Sequence, residues 1–297
     1  MNVGFTVTII VPFFNQEHIV KENICNLLKL DYPEENLNFV LIDDGSKDNT
    51  AIFVKKFIDN PRIKVILSPN NRGRSFSRNM GIEATNSELI GFLDGDMRVN
   101  SDWLKCLISK LDNDTVGVMG DSCSPKNVQP NSLDRYFYSF YRGARHIGES
   151  KPLHFRWFLF NNTVIRRSAL EVVGKFDDIF TTYGGEDTDL SIRLWEKYPY
   201  GLRFSSKAIS EHYHERHLEE FCSSMYSYGK NNLPILLKRY PKYKNDLGGD
   251  YIQSIKGKII FNFFSRYIVN ILRSIFDNYW LKRYLVIDSV IRGARRA

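Results

Sequence analysis

At residues 88–96 the sequence reads ELIGFLDGD, an apolar run that ends in two carboxylates, Asp94 and Asp96. Three comparable runs precede it, VTIIVPFF at 7–14, FVLIDDGS at 39–46 and RIKVILS at 62–68. Each run is short and apolar, and the run at 7–14 is rich in β-branched residues, which predicts buried strands. Unusual polar residues follow three of these four runs.

Helical patterns separate the four predicted strands. They cover residues 16–30, 50–59 and 75–84, where apolar side chains recur at helical spacing. Apolar strands that alternate with helices predict an α/β fold, with a Rossmann-like, mostly parallel sheet and helices on both faces. Ligands in such sheets bind at the carboxyl ends of the strands, so functional residues are expected there.

Polar residues follow three of the four strands, at Asn15, at Asp43-Asp44 and at Asp94–Asp96. An Asp-Gly pair also forms turns and caps helices, which explains Asp43-Asp44-Gly45 equally well. That explanation suits Asp94 and Asp96 less well, because two like charges this close repel unless a positive group lies between them. Mn²⁺ or Mg²⁺ is such a group, since both take oxygen ligands and commonly bind substrate phosphates.

The composition is that of an ordinary folded protein, with 297 residues, 43% hydrophobic and 25% charged. The N-terminal region has neither the basic leader nor the small-residue cleavage site of a secretory signal. The four cysteines are far apart and form no CxxC pair, which disfavours disulfides and thiolate zinc sites. We therefore expect a cytoplasmic protein.

The net charge of +7 resides in residues 251–297, which contain nine Lys or Arg and two Asp. On a helical wheel residues 258–277 of this segment separate into two halves. The apolar half holds Ile260, Phe263, Phe264, Tyr267, Ile268, Ile271, Leu272 and Ile275, with Ile259 and Val269 as exceptions on the polar half. No uncharged run approaches the roughly 18 residues of a transmembrane helix.

A basic amphipathic segment of this kind is typical of a helix that lies in the interface of an anionic membrane. We expect peripheral association with the inner face of the cell membrane. Packing on the rest of the chain and pairing with another copy in a homo-oligomer are the alternatives. Nucleic-acid binding is disfavoured, because no recognisable binding motif accompanies the charge.

Taken together, these segments resemble the family-2 nucleotide-sugar glycosyltransferases of the GT-A fold. The resemblance runs in order over roughly residues 5–230 and rests on VTIIVPFFNQE, LIDDGSKDNT, RGRSFSRNMGIEAT, IGFLDGD and the region from NNTVIRR to GGEDTDLSIRLW. It implies metal-dependent, inverting transfer of a sugar from a nucleoside-diphosphate sugar, above all a UDP-sugar. The implied acceptor is a glycan or a lipid-linked molecule.

The resemblance also implies roles for the residues that bind the donor. Pro12 and Phe14 match positions near the base, and Phe14 stands where a Tyr is more usual. Asp43 matches the carboxylate that accepts a hydrogen bond from the ring NH of the base. The remaining donor-binding positions are Arg78 near the nucleotide, Asp94 and Gly95 near the ribose or metal, and Asp96 as ligand of the metal that bridges the diphosphate.

In the second half, Asp187 matches the family's general base, and Glu186 beside it contacts sugar or acceptor. Asn162 and Gly185 match positions near the acceptor or sugar. A histidine approaches the metal in similar enzymes, and His212 fits that position best, with His214 second. Local explanations also exist, because acids suit the start of a helix and histidines occur on ordinary surfaces.

We expect a catalytic domain at 1–217, with a nucleotide-binding half at 1–97 and an acceptor half at 98–217. Residues 218–297 are expected to form a helical, basic, amphipathic region. A nucleotidyltransferase or phosphatase that uses the same acidic loop is the alternative function. Haloacid-dehalogenase-type phosphatases are disfavoured because they place Thr or Val where this chain has Arg98. A silent sugar-binding module is disfavoured by the intact Gly185-Glu186-Asp187 segment.

Overall fold

A computed structural model describes residues 4–297, which separate into two compact units. The first unit contains the residues up to Asn127 together with Gly143–Asp178 and Glu186–His214. The second unit contains Val128–Arg142, Ile179–Gly185 and Glu215–Ala297. The last division, after His214, lies close to the boundary expected after residue 217. The two earlier segments of the second unit have no counterpart in the expected division.

The first unit is built around one eight-stranded sheet. Its strands are β1 (Val7–Phe13), β2 (Leu37–Asp44), β3 (Ile63–Ser68), β4 (Leu89–Leu93), β5 (Met97–Val99), β6 (Gly117–Cys123), β7 (Asn162–Arg166) and β8 (Leu202–His212). Their order across the sheet is β3-β2-β1-β4-β7-β6-β8-β5. Four neighbouring pairs are parallel and three, β4 with β7, β6 with β7 and β5 with β8, are antiparallel. The predicted α/β fold with a mostly parallel sheet is confirmed.

The four predicted strands are β1 to β4. Every residue of β1 and β4 is buried, because these strands have neighbours on both sides and hydrophobic cores on both faces. Val7, Ile9 and Val11 of β1 face one core, whereas Ile10 faces the other. The fourth strand ends at Leu93, earlier than residue 96, since the following residues form a turn.

Helices account for most of the remaining structure. Those of residues 4–297 are α1 (Val20–Leu27), α2 (Thr50–Lys55), α3 (Arg74–Glu83), α4 (Trp103–Ile108), α5 (Ser132–Phe137), α6 (Ala144–Ile147), α7 (Arg167–Val173), α8 (Glu186–Lys197), α9 (Leu218–Asn231), α10 (Leu233–Arg239), α11 (Asp250–Gln253), α12 (Ile255–Ile260), α13 (Phe263–Ile275) and α14 (Tyr279–Ala294). Short 3₁₀ helices lie at Glu34–Asn36, Phe155–Trp157 and Pro241–Tyr243. The three helices predicted at 16–30, 50–59 and 75–84 are α1, α2 and α3. The first two are shorter than predicted.

The second unit is helical and has a small hydrophobic core. Its buried members are Leu133 and Tyr136 of α5, Leu218 and Phe221 of α9, and Leu285 and Val286 of α14. Helix α13 contributes no buried residue. Val269, an exception on the predicted helical wheel, packs against this core from the polar half of α13.

Helix α13 turns its apolar side outward. The exposed apolar side chains are Phe263, Phe264, Tyr267, Ile268, Ile271, Leu272 and Ile275. Its polar side contacts the neighbouring helices, because Arg266 pairs with Asp288 of α14 and Arg273 pairs with Glu219 of α9. Within residues 4–297, none of the helices combines the length and apolar character needed to cross a membrane.

Candidate active site

The loops that follow β1 and β2 are joined by hydrogen bonds. The backbone N–H of Asn15 donates to Ser46 Oγ at 2.9 Å, and Lys47 N donates to Asn15 Oδ1 at 2.8 Å. Gln16 N donates to Thr50 Oγ1 at 2.7 Å. Asn15 has a φ of 52°, a left-handed conformation that asparagine tolerates better than most residues. The two strand ends therefore form one connected surface.

Asp43 lies at the end of β2 with an oxygen available. Its side chain is buried, and Oδ2 accepts a hydrogen bond from Ser46 N at 3.1 Å. Within residues 4–297 Oδ1 has no hydrogen-bond partner, although it is buried. Phe14 is 40% exposed, whereas Pro12 is buried opposite Ile42 of β2. Of the two residues expected near the base, only Phe14 presents its side chain to solvent.

Asp44 is a residue of the site that the sequence analysis did not single out. Its Oδ1 accepts from Arg72 N at 3.0 Å and its Oδ2 from Gly73 N at 2.8 Å, which fixes the loop before α3. Burial raises the pKa of Asp44, although these hydrogen bonds oppose the rise. Its position beside Asp43 was the only signal in the sequence.

Gly95 lies where two strand ends approach closely. A Cβ at this position would come within 2.5 Å of Phe13 Cδ1 and within 2.7 Å of Pro12 O. The carbonyl of Gly95 accepts a hydrogen bond from Asn23 Nδ2 of α1 at 2.5 Å. The absence of a side chain therefore allows the Asp94–Asp96 loop to pack against the end of β1.

Arg78 of α3 lies between two carboxylates from distant parts of the chain. Its Nη2 donates to Asp94 Oδ1 and its Nη1 to Asp187 Oδ1, both at 2.8 Å. The guanidinium is completely buried. Burial opposes its charge, but Asp187 and Asp94 outweigh that effect and raise the pKa of Arg78. Arg78 was expected near the nucleotide, and the structure places it inside the site as a link between Asp94 and Asp187.

Arg74, one turn earlier on α3, makes a second link. Its Nη1 is 3.4 Å from Asp94 Oδ2, and its Nη2 is 3.7 Å from Glu186 Oε1. Its side chain is 41% exposed, so it reaches the surface where the buried Arg78 does not. Arg74 was not among the residues predicted from the sequence, although the RGRSFSRNMG segment contains it. Both oxygens of Asp94 thus contact arginines.

Glu186 and Asp187 occupy the first turn of α8, where the helix dipole favours negative charge. Asp187 Oδ2 accepts from Phe160 N at 3.3 Å, in addition to the bond from Arg78. Glu186 is buried, and within residues 4–297 its Oε2 has no hydrogen-bond partner. Burial, reinforced by the charge of Asp187, raises the pKa of Glu186. The two predicted catalytic residues therefore differ in environment.

Asp96 and His212 are brought together by the pairing of β5 with β8, in which Met97 lies opposite His212. His212 Nε2 is 3.2 Å from Asp96 Oδ2, and the His214 ring centroid is 4.6 Å from that of His212. Burial opposes ionisation of Asp96, but His212 outweighs it and lowers the pKa of Asp96. The two histidines that the sequence left as alternatives lie side by side.

The donor set at Asp96 suits a divalent cation that also binds the substrate. Asp96 Oδ1 is buried without a hydrogen-bond partner among residues 4–297, and His212 supplies a nitrogen nearby. No group of three or more His, Cys, Asp or Glu side chains in that range is arranged to hold a metal alone. Mg²⁺ and its analogues commonly use one or two carboxylates together with substrate phosphates. The residues present fit that mode of binding.

Asn162 lies at the start of β7 in the first unit. Asn162 is completely buried, and its Oδ1 accepts from Trp103 Nε1 at 2.7 Å. Its Nδ2 donates to Asp121 O at 2.7 Å and to the Ala208 carbonyl at 3.1 Å. The Asn162 amide is therefore hydrogen-bonded within the first unit, and its contact with acceptor or sugar stays a prediction. Gly185 belongs to the second unit and adopts a φ of 104°.

The α/β fold of this chain is also found in solved structures of other proteins. The mannosyltransferase PcManGT from Pyrobaculum calidifontis, in complex with GDP-Man and Mn²⁺, superimposes with a TM-score of 0.68 at 16% identity, over 99% of this chain and 86% of that one. Staphylococcus aureus TarS 1–349, in complex with UDP-GlcNAc, superimposes with a TM-score of 0.55 at 17% identity, over 98% and 89%. The fold is the GT-A fold.

Residues 8–174 match the family described as Glycosyl transferase family 2. Since this match covers more than half of the chain, the protein belongs to glycosyl transferase family 2. Pre-mycofactocin glycosyltransferase of Mycobacterium tuberculosis is 27% identical over 241 residues, which is 80% of this chain and 48% of that protein. The chain thus spans about half the length of the curated relatives it matches.

Proposed function

We propose that this protein transfers a sugar from a nucleoside-diphosphate sugar to an acceptor hydroxyl, with inversion at the anomeric carbon. One observation carries the proposal. The ends of β2 and β4 and the start of α8 gather Asp43, Asp96 and Glu186, each with a buried carboxylate oxygen that has no hydrogen-bond partner among residues 4–297. Buried acceptors without partners are costly unless a ligand satisfies them. Family membership supports the same reaction class.

For the donor we propose a UDP-sugar. Asp43 Oδ1 is an acceptor without a partner among residues 4–297, which suits the ring NH of uracil. The exposed Phe14 offers a ring face against which a base can stack. GDP-Man and UDP-GlcNAc in the two structural relatives belong to those proteins. Because these two nucleotide sugars differ in their base, uracil as the base of this protein's donor is part of the proposal.

We propose Asp96 and His212 as protein ligands of Mn²⁺ or Mg²⁺, with Asp94 and Gly95 beside them. A bound divalent cation would stabilise the negative charge on the departing diphosphate. Arg74 contributes to the same task from the chain itself, because it is partly exposed and contacts Asp94. Arg78 holds Asp94 in place from below the surface.

For the chemical step we propose that Asp187 removes the proton from the acceptor hydroxyl as the oxygen attacks the anomeric carbon. Arg78 Nη1 and Phe160 N fix the carboxylate of Asp187 from two directions, which favours one orientation of the base. Glu186, with its raised pKa and unpartnered Oε2, is proposed to contact the sugar or acceptor beside it. A single displacement of this kind inverts the anomeric centre.

We further propose that residues 251–297 associate with an anionic membrane surface and that the acceptor is lipid-linked or an envelope glycan. The outward apolar side of α13 supports this, together with exposed Ile255, Ile259 and Trp280 near it in sequence. The exposed lysines Lys256 and Lys258 complement anionic headgroups. An apolar surface flanked by basic residues is more favourable in the interface of an anionic membrane than in water.

The test of the enzymatic proposal is a product analysis. The full chain is screened by thermal shift against UDP- and GDP-sugars with and without Mn²⁺, because a ligand that binds only the folded state raises its stability. The nucleotide sugar that stabilises the protein is then incubated with the enzyme and candidate acceptors. We expect free UDP and a glycosylated product. UMP or inorganic phosphate as the product would instead indicate the nucleotidyltransferase or phosphatase alternative.

A further inference from the structure

A cavity of about 800 Å³ opens between α9, α13 and α14 in the second unit. Five arginines line it, Arg266, Arg273, Arg292, Arg295 and Arg296, together with two acids, Glu219 and Asp288. We call it the arginine cavity. Its lining is strongly positive, although none of these residues has a role in the proposed transfer of sugar.

The two acids of the arginine cavity are already engaged. Asp288 is buried and accepts from Arg266 Nε at 2.6 Å and from Arg292 Nε at 3.0 Å. Glu219 Oε1 accepts from Arg273 Nη1 at 2.7 Å. Two carboxylates are thus shared among three arginines, which leaves positive charge without a compensating partner.

The other arginines add to this excess. Arg295 donates to the backbone carbonyls of Ile252 and Phe261, both at 2.7 Å, and these carbonyls carry no net charge. Arg296 is exposed at the rim. Within residues 4–297, Arg266 and Arg292 form their hydrogen bonds through Nε and Nη2, to Asp288 and Ser289, so that Nη1 of each makes none. Charge and donors therefore both remain available to a ligand.

We propose that the arginine cavity binds a phosphate or diphosphate group. The planar guanidinium fork matches phosphate oxygens in geometry as well as in charge. Three of the arginines are held by Asp288 and Glu219, so the site is ordered before the anion arrives. The volume of the cavity is ample for a diphosphate.

Two sources could supply this group, a lipid headgroup and a soluble phosphate. The structure favours the lipid, because the polar side of α13 lines the cavity while its other side exposes apolar residues. If Arg266 and Arg273 hold the headgroup phosphate of a lipid, the hydrocarbon chains of that lipid would lie beside the apolar side of α13. This choice of source rests on the proposed membrane association, whereas the anion site does not.

The first test measures binding of inorganic pyrophosphate to the full chain by calorimetry, in EDTA so that metal-bridged binding is suppressed. The variants are Arg292→Gln and Arg273→Gln. The matched control is Arg283→Gln, which removes the same charge from α14 at a residue that lies over the Trp280 ring and does not line the cavity. We expect each cavity variant to weaken binding at least about tenfold and the control to bind as the wild type does.

The second test uses vesicles of phosphatidylcholine with and without phosphatidic acid, whose phosphate monoester supplies the proposed group. We expect phosphatidic acid to increase co-sedimentation of the wild type and of Arg283→Gln more than that of the cavity variants. Thermal unfolding verifies the fold of each variant. Should Arg292→Gln unfold, Arg273→Gln carries the test, because it loses only a pair with the exposed Glu219.

The outcomes separate this inference from the proposed function. Pyrophosphate binding that is lost in the cavity variants, without vesicle binding by the wild type, supports the anion site with a soluble source and contradicts the membrane proposal. Vesicle binding that is equal in all variants, without pyrophosphate binding, overturns the anion site and leaves the membrane proposal standing. Sugar transfer is measured separately and depends on neither result.

Discussion

The carboxylates of the candidate active site depend on one buried side chain, Arg78. Asp94 comes from the loop after β4 and Asp187 from the start of α8, and the same guanidinium bonds both. Removing one partner of such a buried pair leaves an uncompensated charge, which costs about 3–5 kcal/mol. Substitutions here must therefore preserve hydrogen bonding if their effect on chemistry is to be separated from their effect on folding.

Asp187→Asn keeps the shorter of the two hydrogen bonds, because the Asn Oδ1 still accepts from Arg78, and it loses only the 3.3 Å bond from Phe160 N together with the basicity. We expect turnover to fall by at least about 10²-fold with donor affinity near that of the wild type. Steady-state kinetics and donor titration measure the two quantities. Glu171→Gln, an exposed carboxylate on α7, is the matched control. Wild-type turnover in Asp187→Asn would move the role of base to Glu186, since Asp189 is buried and bonded to Arg193.

Asp96→Ala tests the proposed metal site. We expect divalent-dependent donor binding to be lost while the fold persists, since Asp96 lies on a loop and its side chain contacts His212 rather than the core. Isothermal titration with UDP, with and without Mn²⁺, measures the metal requirement. Asp102→Ala, an exposed aspartate that precedes α4, serves as the control. An unchanged metal requirement in Asp96→Ala would contradict the assignment of Asp96 as a ligand.

At the scale of elements, the short strand β5 has a large effect on the site. It contains only Met97–Val99, yet its pairing with β8 brings Asp96 beside His212, which is distant in sequence. Three residues are too few for periodicity to indicate a strand, so the sequence could suggest His212 and His214 only through the resemblance. The pairing supplies the physical reason for their proximity to Asp96.

Glu149 joins the segment after α4 to β8 through hydrogen bonds to its carboxylate. Its carboxylate accepts hydrogen bonds from Nζ of Lys110, which follows α4, at 2.5 Å and from Ser206 N of β8 at 2.6 Å. Although burial acts in the opposite direction, Lys110 and Ser206 lower the pKa of Glu149 to about 2. A lowered folded-state pKa stabilises the protein above the ordinary pKa, and that stability is lost as the pH falls through the folded-state value.

We therefore expect Glu149→Gln to lower the free energy of unfolding by about 1–2 kcal/mol at neutral pH, less than the full shift implies because the side chain is partly exposed. The difference from the wild type should shrink as the pH falls from about 4.5 towards about 2. Urea unfolding at several pH values measures it. A difference that stays constant over this range would contradict the electrostatic explanation.

At the scale of the whole molecule, the sequence predicted the first half of the sheet well. Strands β1 to β4 have continuous apolar runs, and α1 to α3 have clear helical spacing, so local pattern and burial agree. The later strands combine parallel and antiparallel pairings that no local pattern specifies. The sequence singled out the acids after β4 and at the start of α8 as candidates but not the role of Asp44, and the burial of Arg78 and of Asn162 depends on contacts between distant segments.

The C-terminal segment shows the same limit. Its amphipathic pattern was predicted, but a helical wheel does not tell which side faces the protein. In the structure Arg266 and Arg273 face inward and pair with acids, and the apolar side chains face outward. The usual assumption that the apolar side is buried would have placed α13 the wrong way round.

The outward side of α13 yields a membrane prediction. Phe264→Ser together with Ile271→Ser should reduce co-sedimentation with anionic vesicles several-fold, because large exposed apolar groups would no longer enter the interface. Neither residue belongs to the core of the second unit, so the fold should persist. The control is the double variant Ile52→Ser, Ile58→Ser, which changes two exposed isoleucines of the first unit. Unchanged vesicle binding, or loss of a dimer in its place, would favour an oligomer contact for this side of α13.

The outward side of α13 also governs how the purified protein should behave in solution without lipid. Exposed aromatic and aliphatic side chains of neighbouring molecules would associate, and sulfate would strengthen that association because it is excluded from protein surfaces. Attraction of the basic segment to anionic lipid weakens in salt through screening. Increasing ammonium sulfate should therefore promote turbidity and column retention while it releases the protein from vesicles. Moderate ionic strength with a mild detergent is the condition in which a monodisperse sample is expected.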